Sequence, residues 1–247
     1  RMFSGTFKKQ MIRAACASTT AVGLSLGVAG PAMAAPAVVV KSSAQEYPVG
    51  SKVDDAGSIT LRSGDSVTVL TKKGTRTMKG PGTFQVGAQP KSNRARFANL
   101  TRTRAASRTA TGAVRSAAVE TIARPMSPNL YYVDVAKSGT MCLYNLEQVR
   151  LWRPFNEGIV TYTVSDPASE TSVDVTFDDG ESVAPLDPAL MALSEGKAYT
   201  IAGPEGSDPA TITFANLGQQ IRNPSDLATA LVDKGCMDQV ALMGERL

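Results

Sequence analysis

The chain has 247 residues, 43% of them hydrophobic, and is long enough for one large or two small domains with an apolar core. Its 26 basic and 22 acidic residues give a formal net charge of +4. It contains no histidine, which excludes Ser-His-Asp and Cys-His catalytic relays and histidine-based zinc, copper and iron sites.

The first 34 residues have the pattern of a secretory signal peptide. Lys8, Lys9 and Arg13 form a positive region, and an uncharged stretch of small and apolar residues follows. Ala32 and Ala34 supply the A-x-A pattern that signal peptidases accept. We therefore interpret 1–34 as a signal peptide cleaved after Ala34, in preference to a membrane anchor. The mature protein is expected in the periplasm or at the cell surface, with no further transmembrane segment.

Removal of the signal peptide leaves 22 basic and 22 acidic residues, which are unevenly distributed. Residues 88–124 carry 8 basic and 1 acidic residue, a net charge of +7, whereas residues 125–247 carry 7 and 17, a net charge of −10. The simplest partners of these two regions are each other. The overall charge therefore indicates no polyanionic partner.

Two cysteines, Cys142 and Cys236, remain after cleavage. In an exported chain, a pair of cysteines predicts one disulfide. The bond would close a loop within the C-terminal part of the chain and leave the N-terminal part outside it. Its removal is therefore expected to destabilise the C-terminal part and to leave the N-terminal part nearly unchanged.

Residues 35–87 are predicted to form a small antiparallel β domain of the SH3-like kind. Residues 35–47 are only loosely patterned, but short alternating segments at 58–61, 66–70, 75–79 and 83–86 are separated by Gly- and Pro-containing turns. The predicted core consists of Ile59, Leu61, Val67, Val69, Met78, Phe84 and Val86.

Residues 88–128 are predicted to be an Arg-rich linker, with a helix around Arg94–Arg108. Its candidate interaction residues are Arg94, Arg96, Arg102, Arg104, Arg108 and Arg115. Export removes nucleic acid from reach, and aromatic residues for base stacking are scarce, so we predict no nucleic-acid partner. A solvated linker that pairs with the acidic region is favoured over binding to anionic headgroups or acidic cell-wall polymers.

Residues 129–247 are predicted to form a β-sandwich of the Ig-like kind with a C-terminal helical tail. The strand patterns lie at 130–135, 149–153, 159–164, 172–177, 182–184, 197–201 and 210–214. Asp179-Gly180 predicts a hairpin that joins the fourth and fifth of these strands. Ser225 is the expected cap of a helix that ends at Gly235, and a second helix containing Val240 and Met243 follows Cys236.

Two candidate sites in the sandwich have more ordinary interpretations. Asp174, Asp178, Asp179 and Glu181 could supply oxygen ligands to calcium, but their spacing fits neither an EF-hand nor a calcium-binding repeat loop, so a charged hairpin tip is favoured. Trp152 could serve as a ligand platform, but a position in the core or at the edge of the sandwich is favoured, with Arg153 stacked nearby. We predict no cofactor and no metal.

Two groups of segments resemble known protein families. Ile59-Thr60-Leu61, Gly64-Asp65, Val67-Thr68-Val69-Leu70, Gly74-Thr75-Arg76 and Gly80-Pro81-Gly82 resemble the small β module of FecR-like periplasmic proteins. Asp134 to Cys142, Leu151-Trp152-Arg153-Pro154 and Gly235-Cys236-Met237-Asp238-Gln239-Val240, with Thr111-Gly112-Ala113-Val114-Arg115 upstream, look like an uncharacterised exported protein family of alphaproteobacteria. The resemblance implies an exported protein and carries over no catalytic residue.

The sequence therefore predicts a mainly β, non-enzymatic envelope protein that acts as a structural or protein-interaction module. Its expected partner is an envelope protein or a cell-wall component. A cell-wall glycan-binding module is the alternative, and a carboxylate-based hydrolase is the least favoured function, since no nucleophile motif is present.

Overall fold

The computed structural model describes residues 36–102 and 124–247, which form fourteen β-strands and three α-helices. The first part contains β1 (Pro36–Ser42), β2 (Lys52–Asp54), β3 (Ser58–Leu61), β4 (Ser66–Thr71), β5 (Gly74–Lys79), β6 (Gly82–Gln85) and α1 (Arg94–Leu100). The second part contains β7 (Tyr132–Asp134), β8 (Gly139–Leu143), β9 (Arg150–Trp152), β10 (Val160–Asp166), β11 (Thr171–Phe177), β12 (Val183–Pro185), β13 (Ala198–Ala202), β14 (Ala210–Asn216), α2 (Pro224–Asp233) and α3 (Met237–Arg246). The signal-peptide prediction for 1–34 lies outside the described residues.

The N-terminal strands form an antiparallel sheet in the order β2-β1-β4-β5 and a two-stranded ribbon of β3 and β6. The four strands predicted from alternation are present. The predicted core is buried, except that Phe84 is half-buried at its edge. The structure adds β1 and β2, which the sequence interpretation missed. Residues 37–40 of β1 are all buried, and a strand buried on both faces shows no alternation.

The two faces of β1 pack into two different apolar clusters. Ala37 and Val39 join the small N-terminal core, whereas Val38 and Val40 join the large core made mainly by residues after 129. The described residues, 36–102 and 124–247, belong to one compact unit. The limits predicted for the two domains remain a prediction, but their apolar residues meet in a common core.

The C-terminal strands form a five-stranded sheet in the order β11-β10-β13-β14-β8 and a three-stranded sheet in the order β12-β9-β7. Buried residues of both sheets share one core. The mainly β class with a short C-terminal helical region is confirmed. Two pairs, β8 with β14 and β7 with β9, are parallel, whereas the other strand pairs of these two sheets are antiparallel. β8 was not predicted from the sequence.

The predicted hairpin between β11 and β12 is wrong. Gly180 occupies a turn with a φ of 82°, as expected, but β12 pairs with β9 in the other sheet. The turn therefore carries the chain from the five-stranded sheet to the three-stranded sheet. Arg153, directly after β9, holds this turn through backbone carbonyls of Asp178 and Glu181.

The two C-terminal helices lie between the N-terminal sheet and the five-stranded sheet, because α2 and α3 contact β1 and α3 also contacts β8. Asn223, rather than the predicted Ser225, caps α2: its side chain accepts hydrogen bonds from the backbone N–H groups of Ser225 and Asp226. A Cβ atom at Gly244 would lie 2.1 Å from the carbonyl oxygen of Val40, so glycine permits the close approach of α3 to β1.

Candidate functional site

The predicted disulfide joins Cys142 in β8 to Cys236 between α2 and α3, with a Cα–Cα distance of 5.9 Å. Both cysteines are completely buried. The bond fixes the start of α3 against an edge strand of the five-stranded sheet. Met141, next to Cys142, and Asp238 and Gln239, just after Cys236, line a cleft of about 350 Å³.

The candidate arginines of the linker lie at different places. Arg94 and Arg96 are exposed on α1, and Arg96 donates a 3.0 Å hydrogen bond to the carbonyl oxygen of Leu247. Arg102 is exposed just after α1. Arg104, Arg108 and Arg115, like the rest of the predicted helix after residue 102, lie outside the described residues. The structure therefore brings no cluster of arginines together among those that it describes.

Trp152 ends β9 and Arg153 follows it, and both residues are buried. Trp152 is only 3% exposed, so it offers no platform to a ligand in solvent. Arg153 is 2% exposed, and its guanidinium group lies 5.3 Å from the ring centre of Phe177. Its nitrogens donate to the carbonyl oxygens of Asn156, Glu157, Gly158, Asp178 and Glu181 at 2.8–3.3 Å. Arg153 therefore organises two loops, which is a structural task.

The acidic residues near β11 do not form a cation site. The Asp174 side chain accepts a hydrogen bond from the hydroxyl of Thr163, and the Asp179 side chain accepts one from the backbone N–H of Gly158. Asp178 and Glu181 contribute carbonyl oxygens to Arg153. Within 36–102 and 124–247, no group of three or more Cys, Asp or Glu residues could hold a metal ion.

An apolar cleft of about 350 Å³ opens beside α3, between β8, the segment before β7 and the β7–β8 turn. Its apolar lining includes Met126, Leu130, Tyr132, Met141, Ile212 and Leu242. Leu130, Tyr132, Met141 and Ile212 are buried, whereas Met126 at the rim is 46% exposed. The guanidinium group of Arg246 donates to the carbonyl oxygens of Met126 and Ser127, which holds the rim against α3.

Gln239 closes one end of this cleft. Its side-chain oxygen accepts a 2.7 Å hydrogen bond from the N–H of Cys142, and its side-chain nitrogen donates to the carbonyl oxygens of Cys142 and Leu130 at 2.9 Å. The side-chain amide thus makes the hydrogen bonds to the edge of β8 that a peptide group of a neighbouring strand would make. These hydrogen bonds replace the ones that the buried amide would otherwise make with water.

The charges around the cleft are largely balanced by ion pairs. Arg124 pairs with Asp134, and Lys41 pairs with Glu245 at 2.9 Å. Lys52 pairs with Asp233 farther along the same helical layer. Lys41 and Lys52 come from the N-terminal sheet and Arg124 from the basic segment, whereas their partners belong to the acidic region. Of these three pairs, Arg124–Asp134 joins the two regions that were predicted to attract each other, and the pairs of Lys41 and Lys52 do not bear on that prediction.

A second, smaller notch of about 40 Å³ lies next to β7 and β8. It is lined by Asn129, Tyr131, Tyr132, Leu143, Tyr144, Asn145, Gln148 and Arg150. The buried hydroxyl of Tyr131 has no hydrogen-bond partner among the described residues. Burial, with a smaller contribution from Tyr144, raises the pKa of Tyr131 to about 12, so the hydroxyl stays protonated at neutral pH. The notch has room for a water molecule or one hydroxyl group.

Comparison of the chain with protein-family models, curated proteins and solved structures finds no match. The resemblance to FecR-like modules and to an exported alphaproteobacterial family therefore remains a prediction. Among the helices of the described residues, none has the length and apolar character needed to cross a membrane.

The sequence interpretation missed the cleft. Its lining comes from segments around residues 124–127, 130–141, 212 and 238–245, which no local pattern connects. One signal was present in the tail: Gln239 precedes the apolar Val240 and lies on the buried face of the helix. A polar residue on a buried helix face must find hydrogen-bond partners, and these partners mark the cleft.

Proposed function

We propose that the chain is a non-enzymatic binding module of the cell envelope and that it holds a partner protein in the apolar cleft beside α3. The observation that carries this proposal is a cleft of about 350 Å³ whose floor is apolar and whose rim includes the exposed Met126. Ligand sites are typically clefts of about 300–1,000 Å³ with predominantly apolar walls.

The chemistry of the cleft favours binding over catalysis. Two of its three carboxylates, those of Asp134 and Glu245, are occupied in ion pairs with Arg124 and Lys41. A carboxylate-based hydrolase needs one carboxyl group to act as acid and another to act as base or nucleophile. Histidine is the side chain whose unperturbed pKa lies near neutrality, and the chain contains none. A general base of that ordinary kind is therefore missing.

The binding role can be tested with a photocrosslinking amino acid placed at Ala241, which lines the cleft on α3, or at the exposed Ala189 as a control. Irradiation of the native host should give a discrete adduct from position 241 only. The captured partner is then purified, and its Kd is measured by calorimetry. Ala241→Trp should raise the Kd about tenfold or more by filling the cleft, and Ala189→Trp should change it less than about twofold. Equal adducts at both positions, or an unchanged Kd for Ala241→Trp, would contradict the role of the cleft.

Cell-wall glycan binding is a second candidate because of the notch at Tyr131. Its hydroxyl, together with the amide residues Asn145 and Gln148, could receive a sugar hydroxyl group. Titration with soluble peptidoglycan fragments should then shift the NMR signals of these residues and spare those of Ala241. Tyr131→Phe should abolish the shift.

Export to the periplasm or cell surface is part of the same proposal. A buried disulfide between Cys142 and Cys236 is compatible with an oxidising compartment. N-terminal sequencing of the protein recovered from its host should begin at Ala35. Recovery of a cytosolic form that retains Lys8, Lys9 and Arg13 would contradict export.

A further inference from the structure

We propose, on the basis of the binding role assigned to the cleft, that its ligand is an extended apolar peptide that adds as a strand to the free edge of β8 at Thr140. β8 is the last strand of the five-stranded sheet, and β14 is its only strand partner in the described part of the chain. Thr140 lines the cleft. An added strand can bind at Thr140 only if the backbone groups of this residue point away from β14.

That direction follows from two neighbouring residues. The carbonyl oxygen of Leu143 accepts a 2.8 Å hydrogen bond from the N–H of Leu217, which continues β14. Cys142 instead directs both its N–H and its carbonyl oxygen to the side chain of Gln239. Backbone groups of successive strand residues point to opposite edges, so Thr140, two residues before Cys142, has the same orientation as Cys142. Its N–H and carbonyl oxygen therefore point away from β14, toward the cleft.

Gln239 shows how this edge binds an amide. The side-chain amide makes the donor and acceptor contacts to Cys142 that a peptide group of an added strand would make. One step farther along the same edge, Thr140 offers an equivalent donor and acceptor. An extended ligand can therefore continue the ladder that Gln239 begins, as in strand addition to exposed sheet edges.

The other residues that line the cleft indicate which side chains the peptide should carry. Next to Thr140 the cleft offers Met141, Ile212 and Leu242, which favour an apolar side chain. The rim adds no strong charge of either sign: two of its carboxylates are paired, and the remaining charges, Lys137 and Asp238, are one of each sign. This balance matches an uncharged peptide backbone with apolar side chains, whereas a polyanion or an anionic headgroup would meet no excess of positive charge.

The test uses full-length mature protein and a peptide selected on it from a random dodecapeptide phage library. Backbone amide hydrogen exchange is followed by NMR with and without saturating peptide. Exchange at Thr140 should slow about tenfold or more on binding. Exchange at Cys142, whose N–H is already bonded to Gln239, should be unchanged and serves as the internal control.

Chemical changes in the peptide avoid any effect on folding of the protein. N-methylation of the peptide amide that faces Thr140 should weaken binding about tenfold, whereas methylation of the adjacent amide, which points away, should change the Kd less than about twofold. If Ala241→Trp weakens peptide binding but Thr140 exchange and N-methylation have no effect, strand addition is wrong and the binding role of the cleft stands. If no selected peptide is sensitive to Ala241→Trp, both proposals are wrong.

Discussion

Removal of the Cys142–Cys236 disulfide tests how the two parts of the chain support each other. The appropriate variant is Cys142→Ala/Cys236→Ala, because both positions are fully buried and serine would add hydroxyl groups that need hydrogen-bond partners. A reducing agent acting on the wild-type protein gives the same perturbation without a change of sequence.

The expected magnitude follows from the length of the loop. The cysteines are separated by 94 residues, and in the chain-entropy model a loop of this length stabilises the folded state by about 4–5 kcal/mol. For a protein of this size, each kcal/mol changes the Tm by about 2–4 °C. Loss of the disulfide should therefore lower the Tm by about 8–20 °C.

The structure changes the prediction of which regions lose stability when the disulfide is removed. From the sequence, the N-terminal strands lie outside the closed loop and were expected to be indifferent. However, Cys236 joins α2 to α3, and both helices pack on β1, while α3 also packs on β8. Loosening the helices removes one packed face of β1, where Val38 and Val40 are completely or almost completely buried. We therefore expect the N-terminal sheet to lose stability together with the C-terminal sheets.

Two probes separate these outcomes. Trp152, the single tryptophan, reports unfolding of the C-terminal region by fluorescence, and amide exchange at Val39 and Val69 reports opening of the N-terminal sheet. Both transitions should shift together in the double variant, and a reducing agent should have no further effect on it. If the N-terminal amides stay protected well above the temperature at which Trp152 fluorescence changes, the two regions unfold independently and the reasoning from the shared core is wrong.

Three further predictions concern single side chains. Arg153→Met should lower the free energy of unfolding in urea by about 3 kcal/mol or more, since five carbonyl groups lose their donor, whereas Arg150→Met in the preceding strand, β9, should cost less than about 1 kcal/mol. Gln239→Leu should cost about 2–4 kcal/mol in the same assay, because three backbone groups lose their partner. The hydrogen bond from Lys197 lowers the pKa of Asp166 to about 2, so its stabilising effect is complete above about pH 4 and is lost as the pH falls toward 2. The difference in Tm between the wild-type protein and Asp166→Asn should therefore be largest above pH 4 and vanish near pH 2 in a series of thermal melts.

Strands with one buried and one exposed face could be predicted from the sequence. In β11, Val173, Val175 and Phe177 are buried and the residues between them are exposed, so the alternation was visible. β1 gave no such signal because four consecutive residues are buried. β8 was also missed: its last three residues are buried in succession, and its strand partner, β14, lies far away in the sequence. Local patterning carries no information about a pair of that kind.

Less of the candidate site than of the fold could be predicted from the sequence. The disulfide was accessible because the number of cysteines and the expected compartment left one pairing. The Arg-rich segment was conspicuous in composition, but among the arginines that the structure describes, the one with the largest set of hydrogen bonds is Arg153, between Trp152 and Pro154. The cleft forms where α3 approaches β8. That contact joins segments far apart in the chain, so no local sequence pattern could predict it.

Because the cleft requires contact between α3 and β8, stability and binding should be coupled through Gln239. The side chain reaches β8 only while α3 is held against the strand, and the disulfide anchors α3 three residues before Gln239. If the bond is absent, α3 can separate from β8, and the N–H and carbonyl oxygen of Cys142 then lose their amide partner. The same motion removes the wall formed by Leu242 and Ala241. A variant without the disulfide should therefore lose peptide affinity at temperatures where it is still largely folded, because the wall of the cleft and the register of its edge depend on one helix.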